Sequence, residues 1–318
     1  MFRRLSRISF CAIAIGVVGA LACARPAAAN NAPKGGGGAI KGHEYETERA
    51  GVKIALWEKF KPDDEKNWKQ NGKVILLVHG ATWSSRCTFD AAEGNSLMDA
   101  LAEQGYDVWA LDLHGYGHSG KSGRDWTDSA SAAEDIDAAA DYIRALRWIE
   151  RVHVFGYQWG GQAAGLFAIK HPKKVSKLVL FGMRYNIIEK KEQPQSQYRV
   201  NGNGNAMLKP EDGDLEVDFV RRRAQVCLLN DPKSPNGALI DLSQASPVDP
   251  SLVKNATMVM MGEKDGEPNV LQDRIDFFKL LGSHTKEFSI LGGLGKYANF
   301  EKNRNRFEAA LIGFLDQP

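Results

Sequence analysis

The sequence lacks several features that would assign it to a class of protein at once. It has no C-x-x-C pair and no Cys/His spacing typical of a metal site, so we expect no metal. It has no internal repeat and no fibrous or low-complexity composition. Its hydrophobic fraction of 43% and charged fraction of 25% match an average globular protein, which argues against disorder and against a multi-span membrane protein.

The N-terminus carries the one conspicuous apolar run, from Phe10 to Ala22, after a basic stretch that begins with Arg3 and Arg4. Ala27-Ala28-Ala29 follows as a small-residue cleavage site, so residues 1–29 are predicted to be a secretory signal peptide. A membrane anchor is the competing interpretation, but the run is shorter than the roughly 20 residues of a spanning helix. We therefore expect an exported protein, periplasmic or secreted, without a stable membrane span after cleavage.

A large excess of charge is also missing. Four of the 41 basic residues and none of the 39 acidic residues precede Asn30, so the remaining chain has a net charge of −2. Nucleic-acid binding normally needs a clustered basic face, so we expect no nucleic-acid partner. The densest basic cluster, Arg221-Arg222-Arg223, is interpreted as a solvated helix face.

Cysteine is scarce, at four residues. Cys11 and Cys23 lie in or beside the predicted leader, which leaves Cys87 and Cys227 in the exported chain. An oxidising compartment permits a disulfide between them. Two buried free thiols fit the sequence equally well, and the pairing stays open.

Apolar periodicity predicts one large domain over residues 43–318, after a flexible Gly-rich linker at 30–42. Early paired strands, then alternating strands and helices, predict an α/β fold with a mostly parallel eight-stranded sheet covered on both faces. A polar stretch at about 183–253 interrupts the alternation and is predicted to be a cap. The predicted strands lie near residues 43–47, 52–57, 74–78, 108–111, 152–155, 178–181, 257–261 and 288–291.

The segment Gly156-Tyr157-Gln158-Trp159-Gly160-Gly161 joins an apolar strand to a helix rich in small residues. In the G-x-S-x-G pattern the same turn lifts the central side chain above the sheet, and the flanking glycines let strand and helix pack closely. Here the central residue is Gln158, whose amide is not a nucleophile.

Four motifs in order resemble the α/β-hydrolase superfamily, over essentially all of the chain from Gly42 onward. They are the His79-Gly80 turn after the third strand, the loop Asp112 to Ser119, the elbow at Gln158 and the turn Gly262-Glu263-Lys264-Asp265. The resemblance implies that fold, a nucleophile at the elbow, an acid after the late strand and a histidine after the last strand.

Carried over by position, the acid is Asp265, the nucleophile position holds Gln158 and the histidine position holds Lys296. No histidine follows His284. His114 or His118, on a loop at the expected site edge, is an alternative base. Lys296 is protonated near neutral pH unless burial lowers its pKa by several units, so this trio should not form an acyl-enzyme with an ester.

The backbone N–H groups of Ala81 and Trp159 are predicted to form an oxyanion hole, because replacing the central residue does not disturb them. His79, Gly80, Trp83 and His114 are predicted pocket residues. We expect a small ester-, lactone- or carboxylate-like ligand and no cofactor. The alternative is a non-catalytic binding protein in which Gln158 and Lys296 hold an anion. The oligomeric state stays open.

Overall fold

The computed structural model describes residues 38–121, 123, 126–186, 193–202, 208, 213–266 and 269–318. The predicted signal peptide and most of the predicted linker lie outside these residues. The strands are β1 (Lys41–Arg49), β2 (Val52–Phe60), β3 (Val74–Val78), β4 (Asp107–Leu111), β5 (Val152–Tyr157), β6 (Val175–Phe181), β7 (Tyr198–Val200), β8 (Lys233–Pro235), β9 (Ala256–Gly262) and β10 (Lys286–Leu291). The α-helices are α1 (Trp68–Asn71), α2 (Ser85–Phe89), α3 (Leu97–Glu103), α4 (Ser129–Arg147), α5 (Gly160–Lys170), α6 (Val217–Asn230), α7 (Gly237–Leu242), α8 (Val270–Leu280) and α9 (Asn305–Leu315).

Eight strands form one sheet in the order β1-β2-β4-β3-β5-β6-β9-β10. The pairs β1/β2 and β2/β4 are antiparallel, and every other neighbouring pair is parallel. The predicted eight-stranded, mostly parallel sheet is therefore confirmed. Because β3, β5, β6 and β9 run in the same direction, their carboxyl ends, and the loops that follow them, meet at one edge.

Apolar residues cover both faces of the sheet. On β3, Leu76 faces one core together with Phe167 of α5, and Leu77 faces the other core together with Leu101 of α3 and Phe307 of α9. Side chains alternate between the faces of a strand, so a strand buried on both faces must be apolar at nearly every position. This requirement explains the continuous apolar run Val74–Val78.

Between β6 and β9 the chain forms α6, α7 and the two-stranded pair β7/β8, which is antiparallel and separate from the main sheet. These elements occupy the stretch predicted to be the cap. No helix among the described ranges is both long and apolar enough to cross a membrane.

Glycines set the distance between β5 and α5. A Cβ on Gly156 would lie 2.6 Å from Cα of Gly161, and a Cβ on Gly160 would lie 2.2 Å from the carbonyl oxygen of His79. Both distances are shorter than any real carbon contact, so only glycine allows this packing. The start of α5 therefore rests directly on the end of β3.

Replacing Gly160 by alanine is expected to lower the free energy of unfolding by about 2–3 kcal/mol, because backbone atoms must move to admit the methyl group. The matched control is Gly313→Ala in α9, where an added Cβ has no atom within 4 Å. That change should raise stability by roughly 0.5–1 kcal/mol, the usual helix preference for alanine. Urea denaturation of both variants measures the difference, and equal effects would contradict the packing argument.

Candidate active site

Gln158 occupies the tip of the turn between β5 and α5. Its φ angle is 50°, in the left-handed region that non-glycine residues seldom adopt. The Gln158 N–H donates to the carbonyl of Phe181 at 2.7 Å, and its own carbonyl accepts from the N–H of Gly161 at 2.9 Å. These two bonds hold a backbone conformation that costs of order 1–3 kcal/mol, as is common at functional sites.

The side-chain amide of Gln158 is half-buried and held by its neighbours. Its Nε2 donates to the hydroxyl of Tyr157 at 3.2 Å and approaches the carbonyl of Lys296 at 3.4 Å. Burial raises the pKa of Tyr157, so its hydroxyl stays neutral and can accept this bond. The amide is thus a fixed polar group with a donor and an acceptor.

The two N–H groups predicted to form the oxyanion hole belong to Ala81 and Trp159. Both residues line a cavity of about 70 Å³ together with Gln158. Across the described part of the chain, neither N–H donates a hydrogen bond to a protein acceptor. The Ala81 carbonyl is fixed from two sides, by the Tyr116 hydroxyl at 2.8 Å and the Arg199 guanidinium at 2.6 Å. Two backbone donors are therefore available beside the glutamine tip.

Asp265 and Lys296 line this same cavity, which we call the Lys296 cavity. Asp265 follows β9 and is 7% exposed, whereas Lys296 lies in the turn after β10 and is half-buried. The Lys296 ammonium lies 5.2 Å from the ring centroid of Tyr297. The structure thus brings all three residues assigned to triad positions to one place, with no imidazole among the lining residues described.

His79 lies beneath this site and is fully buried. Its Nε2 accepts from the backbone N–H of Leu113 at 3.1 Å, which leaves Nδ1 to donate to the carbonyl of Gly80 at 2.9 Å. Burial is the largest cause that lowers the pKa of His79 from its ordinary value, so the ring is neutral. The imidazole joins the β3 and β4 loops and does not line the two cavities beside Gln158.

His114 also lies outside the lining of those cavities. Its Nδ1 is 2.5 Å from Oδ2 of Asp135, and Arg49 donates to the other carboxylate oxygen at 2.6 Å. His118 is on the protein surface, where its Nε2 is 3.1 Å from the side-chain oxygen of Asn230. The structure therefore places neither alternative base beside Gln158.

A second cavity, of about 90 Å³, is also lined by Gln158. We call it the Arg223 cavity. Its described lining residues are Gly80, Ala81, Thr82, Trp83, Thr88, Tyr157, Gln158, Leu208, Arg223 and Tyr297. The predicted pocket residues Gly80 and Trp83 are among them.

Arg223 is a residue that sequence reasoning missed. Arg221 and Arg222 are exposed, but Arg223 on the same helix is only 4% exposed, so the interpretation of a solvated cluster is wrong for this residue. The available signal was its spacing, because Phe219, Arg223 and Cys227 recur every four residues and lie on one face of α6.

Buried polar contacts fix the cap above the site. The Asp231 carboxylate accepts from the N–H groups of Ser84 and Gly117 at 2.8 and 2.7 Å. On the other side, Nε1 of Trp159 donates to Asp241 at 2.8 Å. The cap therefore holds the loops that carry the site and cannot move away without breaking buried hydrogen bonds.

A disulfide joins Cys87 of α2 to Cys227 of α6, with 5.0 Å between the Cα atoms. It settles the pairing that the sequence left open. The bond closes a loop of 140 residues in the chain, and crosslinks of this kind typically stabilise by about 2–4 kcal/mol. It also attaches the helix that carries Arg223 to the main domain.

Within the ranges the structure describes, no group of three or more His, Cys, Asp or Glu side chains could hold a metal ion.

Comparison with known proteins identifies the fold. A family model for the alpha/beta hydrolase fold matches residues 73–214. A 113-residue segment is 32% identical to a 2-hydroxy-6-oxononadienedioate/2-hydroxy-6-oxononatrienedioate hydrolase of Paraburkholderia xenovorans strain LB400, covering 36% of this chain and 37% of that one. The hydrolase of the same name from Escherichia coli strain K12 is 30% identical over 113 residues. This segment again covers 36% of this chain and 37% of that one. The match thus spans little more than a third of these relatives.

Solved structures align over most of the chain. A meta-cleavage product hydrolase from Pseudomonas fluorescens IP01 has a TM-score of 0.60 and 19% identity, covering 85% of this chain and 97% of that one. A lipase-like protein from Acinetobacter baumannii AYE has a TM-score of 0.62 and 16% identity, covering 86% and 91%. At these identities the likeness shows the fold. The chain has the α/β-hydrolase fold.

The buried histidines contribute to the pH dependence of stability with a definite sign. Burial, then the charge of Lys177, lowers the pKa of His153 on β5 from 6.5 to about 4, and the pKa of His79 is lowered as well. Between pH 6.5 and 4 the imidazole of His153 therefore binds more protons in the unfolded chain than in the folded chain. Its contribution to the free energy of unfolding should fall as pH is lowered through this window, by up to about 1.4 kcal/mol per pH unit.

His153→Leu removes one of these groups without touching the site, so its stability should decline less steeply from pH 6.5 to 4 than that of the native protein. Urea titrations at several pH values measure the slope. His284→Gln is the matched control, because His284 is exposed and solvated in both states. An unchanged slope in His153→Leu, or an equal change in the control, would contradict the burial argument.

Proposed function

We propose that this protein receives a small ester-, lactone- or carboxylate-like molecule beside Gln158 and acts on it without forming a serine acyl-enzyme. The observation that carries the proposal is the geometry at the elbow. Gln158, in a strained backbone conformation, lines two cavities, and Ala81 and Trp159 share the lining of one of them.

The two backbone donors support a carbonyl-containing ligand. Donors of this kind stabilise negative charge that develops on a carbonyl oxygen, and removing one typically costs 10²–10³-fold in rate. Their usefulness does not depend on which side chain occupies the tip of the turn. The site thus retains the part of a hydrolase that recognises a polarised carbonyl.

The side chains at the triad positions argue against an acyl-enzyme. Gln158 has no ionisable hydroxyl or thiol, and the described lining of the Lys296 cavity holds Asp265 and Lys296 but no histidine. Any turnover therefore uses an attacking group other than the elbow side chain.

The relatives support the ligand class. Those from Paraburkholderia xenovorans and Escherichia coli are hydrolases of dioates, which carry two carboxylate groups. The segment they share with this chain is short, so the substrate class enters here as part of the proposal.

A second candidate function is a non-catalytic binding protein. It is favoured by the position of Lys296, whose ammonium is available to an anion in the same cavity as Gln158. This function predicts ligand-dependent thermal stabilisation with no product. Steady hydrolysis that disappears in Lys296→Ala would rule it out.

We also propose that the protein is exported. The N-terminal pattern of a basic stretch, an apolar run and a small-residue site supports this. So does the disulfide between Cys87 and Cys227, because such bonds persist mainly in oxidising compartments.

The double variant Gln158→Ser, Lys296→His tests the site directly, because it supplies the missing hydroxyl and imidazole. We expect it to hydrolyse short-chain esters on the order of 10²-fold faster than the native protein. This is the lower end of the rate gain that a positioned general base typically gives. Initial rates on a panel of chromogenic esters measure the gain. Gln158→Ser alone is the control and should gain far less, since no imidazole is placed beside the new hydroxyl.

A burst of product from the native protein, equal to the enzyme concentration, would contradict the proposal. So would a double variant that binds the esters but hydrolyses them no faster than Gln158→Ser.

Expression of the full chain in a Gram-negative host tests export. The expected product is a periplasmic protein that begins near Asn30 and has no thiol reactive towards iodoacetamide under denaturing conditions, because Cys11 and Cys23 leave with the leader. Mass spectrometry measures both properties. A cytoplasmic product that keeps Met1 and carries free thiols would contradict the proposal.

A further inference from the structure

Arg223 is a buried cation that faces a cavity next to the elbow. Its side chain is 4% exposed and lines the Arg223 cavity, which it shares with Gln158. Of its nitrogen atoms, Nε donates to the carbonyl of Cys87 at 3.1 Å. The guanidinium carbon lies 4.7 Å from the ring centroid of Phe300. These two contacts hold the group in one orientation, and neither of them brings a negative charge to it.

No ion pair of the described residues includes Arg223. Asp231 is a nearby carboxylate, but it accepts the N–H groups of Ser84 and Gly117 and anchors the cap. The described lining of the cavity contains no Asp or Glu. An anion that enters would therefore meet the positive charge of Arg223, and no negative side chain among the described lining residues.

The charge persists under ordinary conditions. Burial lowers the pKa of Arg223 to about 10, which still leaves the guanidinium protonated at neutral pH. Burying a charge without a partner costs several kcal/mol, and proteins normally offset that cost with a counter-ion. Here the cavity offers space for a counter-ion, and the described residues that line it supply no carboxylate.

The cavity has room for a small polar group. Its volume of about 90 Å³ is enough for several water molecules. A carboxylate with one or two carbon atoms fits this space. A planar carboxylate also matches the fork of the guanidinium, which can donate two parallel hydrogen bonds to it.

We propose that Arg223 binds the carboxylate of an organic anion whose other end reaches Gln158 and the N–H groups of Ala81 and Trp159. The inference rests on the proposed function and deepens it, because it names the charged end of the ligand and the residue that selects it. Gln158 lines both cavities, so a ligand held at Arg223 extends past the amide to the backbone donors.

The disulfide keeps Arg223 in place. Cys227 lies one helical turn after Arg223 on α6, and its partner Cys87 supplies the carbonyl that accepts from Nε of Arg223. The guanidinium is thus fixed before a ligand arrives, which reduces the entropy lost on binding. Arg223 acts as a specificity-determining residue through direct contact with the ligand.

Calorimetric titration with sodium propionate and with its neutral analogue propionamide tests the proposal on the purified protein. Propionate should bind saturably and at least 10-fold more tightly than propionamide. Arg223→Met keeps the apolar stem and removes the charge, so it should lose at least 10-fold in propionate affinity. Arg223→Lys keeps a charge without the fork and should bind with intermediate affinity. Arg222→Met, one position away and exposed, is the control and should bind as the native protein does.

Several results would overturn the proposal. They are equal affinity for propionate and propionamide, unchanged affinity in Arg223→Met, loss of affinity in Lys296→Met instead, or tighter binding of inorganic phosphate than of propionate. If Arg223→Met does not fold, as judged by circular dichroism, Arg223→Lys decides: native-like affinity in that variant would count against the fork geometry.

A separate measurement distinguishes failure of the proposed function. Binding of methyl propionate, which lacks the charge, should weaken in Gln158→Ala and stay unchanged in Arg223→Lys. If the ester does not bind while propionate binding depends on Arg223, the proposed carbonyl site fails and the anion site stands. If the ester binds at Gln158 while propionate does not bind, the anion site at Arg223 fails and the carbonyl site stands.

Discussion

The contact between the start of α5 and the end of β3 is the constraint on which the rest of the site depends. Gly160 lies so close to the carbonyl of His79 that no side chain fits between them, and Gly156 meets Gly161 in the same way. This packing forces the chain through a turn too sharp for ordinary backbone angles. Gln158 takes the left-handed conformation that results, and it lines the same cavity as Ala81 and Trp159. The packing of α5 on β3 and β5 thus positions whatever side chain occupies position 158. It does not require that side chain to be a nucleophile.

The cap completes the site by holding the same loops from above. Arg199 of the β7/β8 pair donates to the carbonyl of Ala81, and Asp231 accepts from Ser84 and Gly117. The disulfide then fixes α6, and with it Arg223, against the main domain. Gln158, Ala81, Trp159 and Arg223 thus line the two cavities at the elbow, and on this polar lining rests our proposal of a small anionic carbonyl ligand.

The fold was predictable because its signals are local. Continuous apolar runs such as Val74–Val78 and the glycine spacing around Gln158 depend on near neighbours in the chain. The burial of Arg223 was not predictable from composition, since it depends on which face of α6 packs against the main domain. The same holds for Cys87 and Cys227, which are 140 residues apart. His79 looked like a pocket residue because its motif adjoins the site, but its ring points into the hydrogen-bonding network beneath the loops.

The central claim is that the elbow binds a carbonyl compound without a serine nucleophile. Incubation of the purified native protein with a serine-directed fluorophosphonate, followed by intact mass spectrometry, tests it most directly. A serine esterase of the same fold, treated in parallel, shows that the reagent is active. The account predicts no stoichiometric adduct on the native protein. One adduct per chain, lost when a single serine is changed, would contradict it.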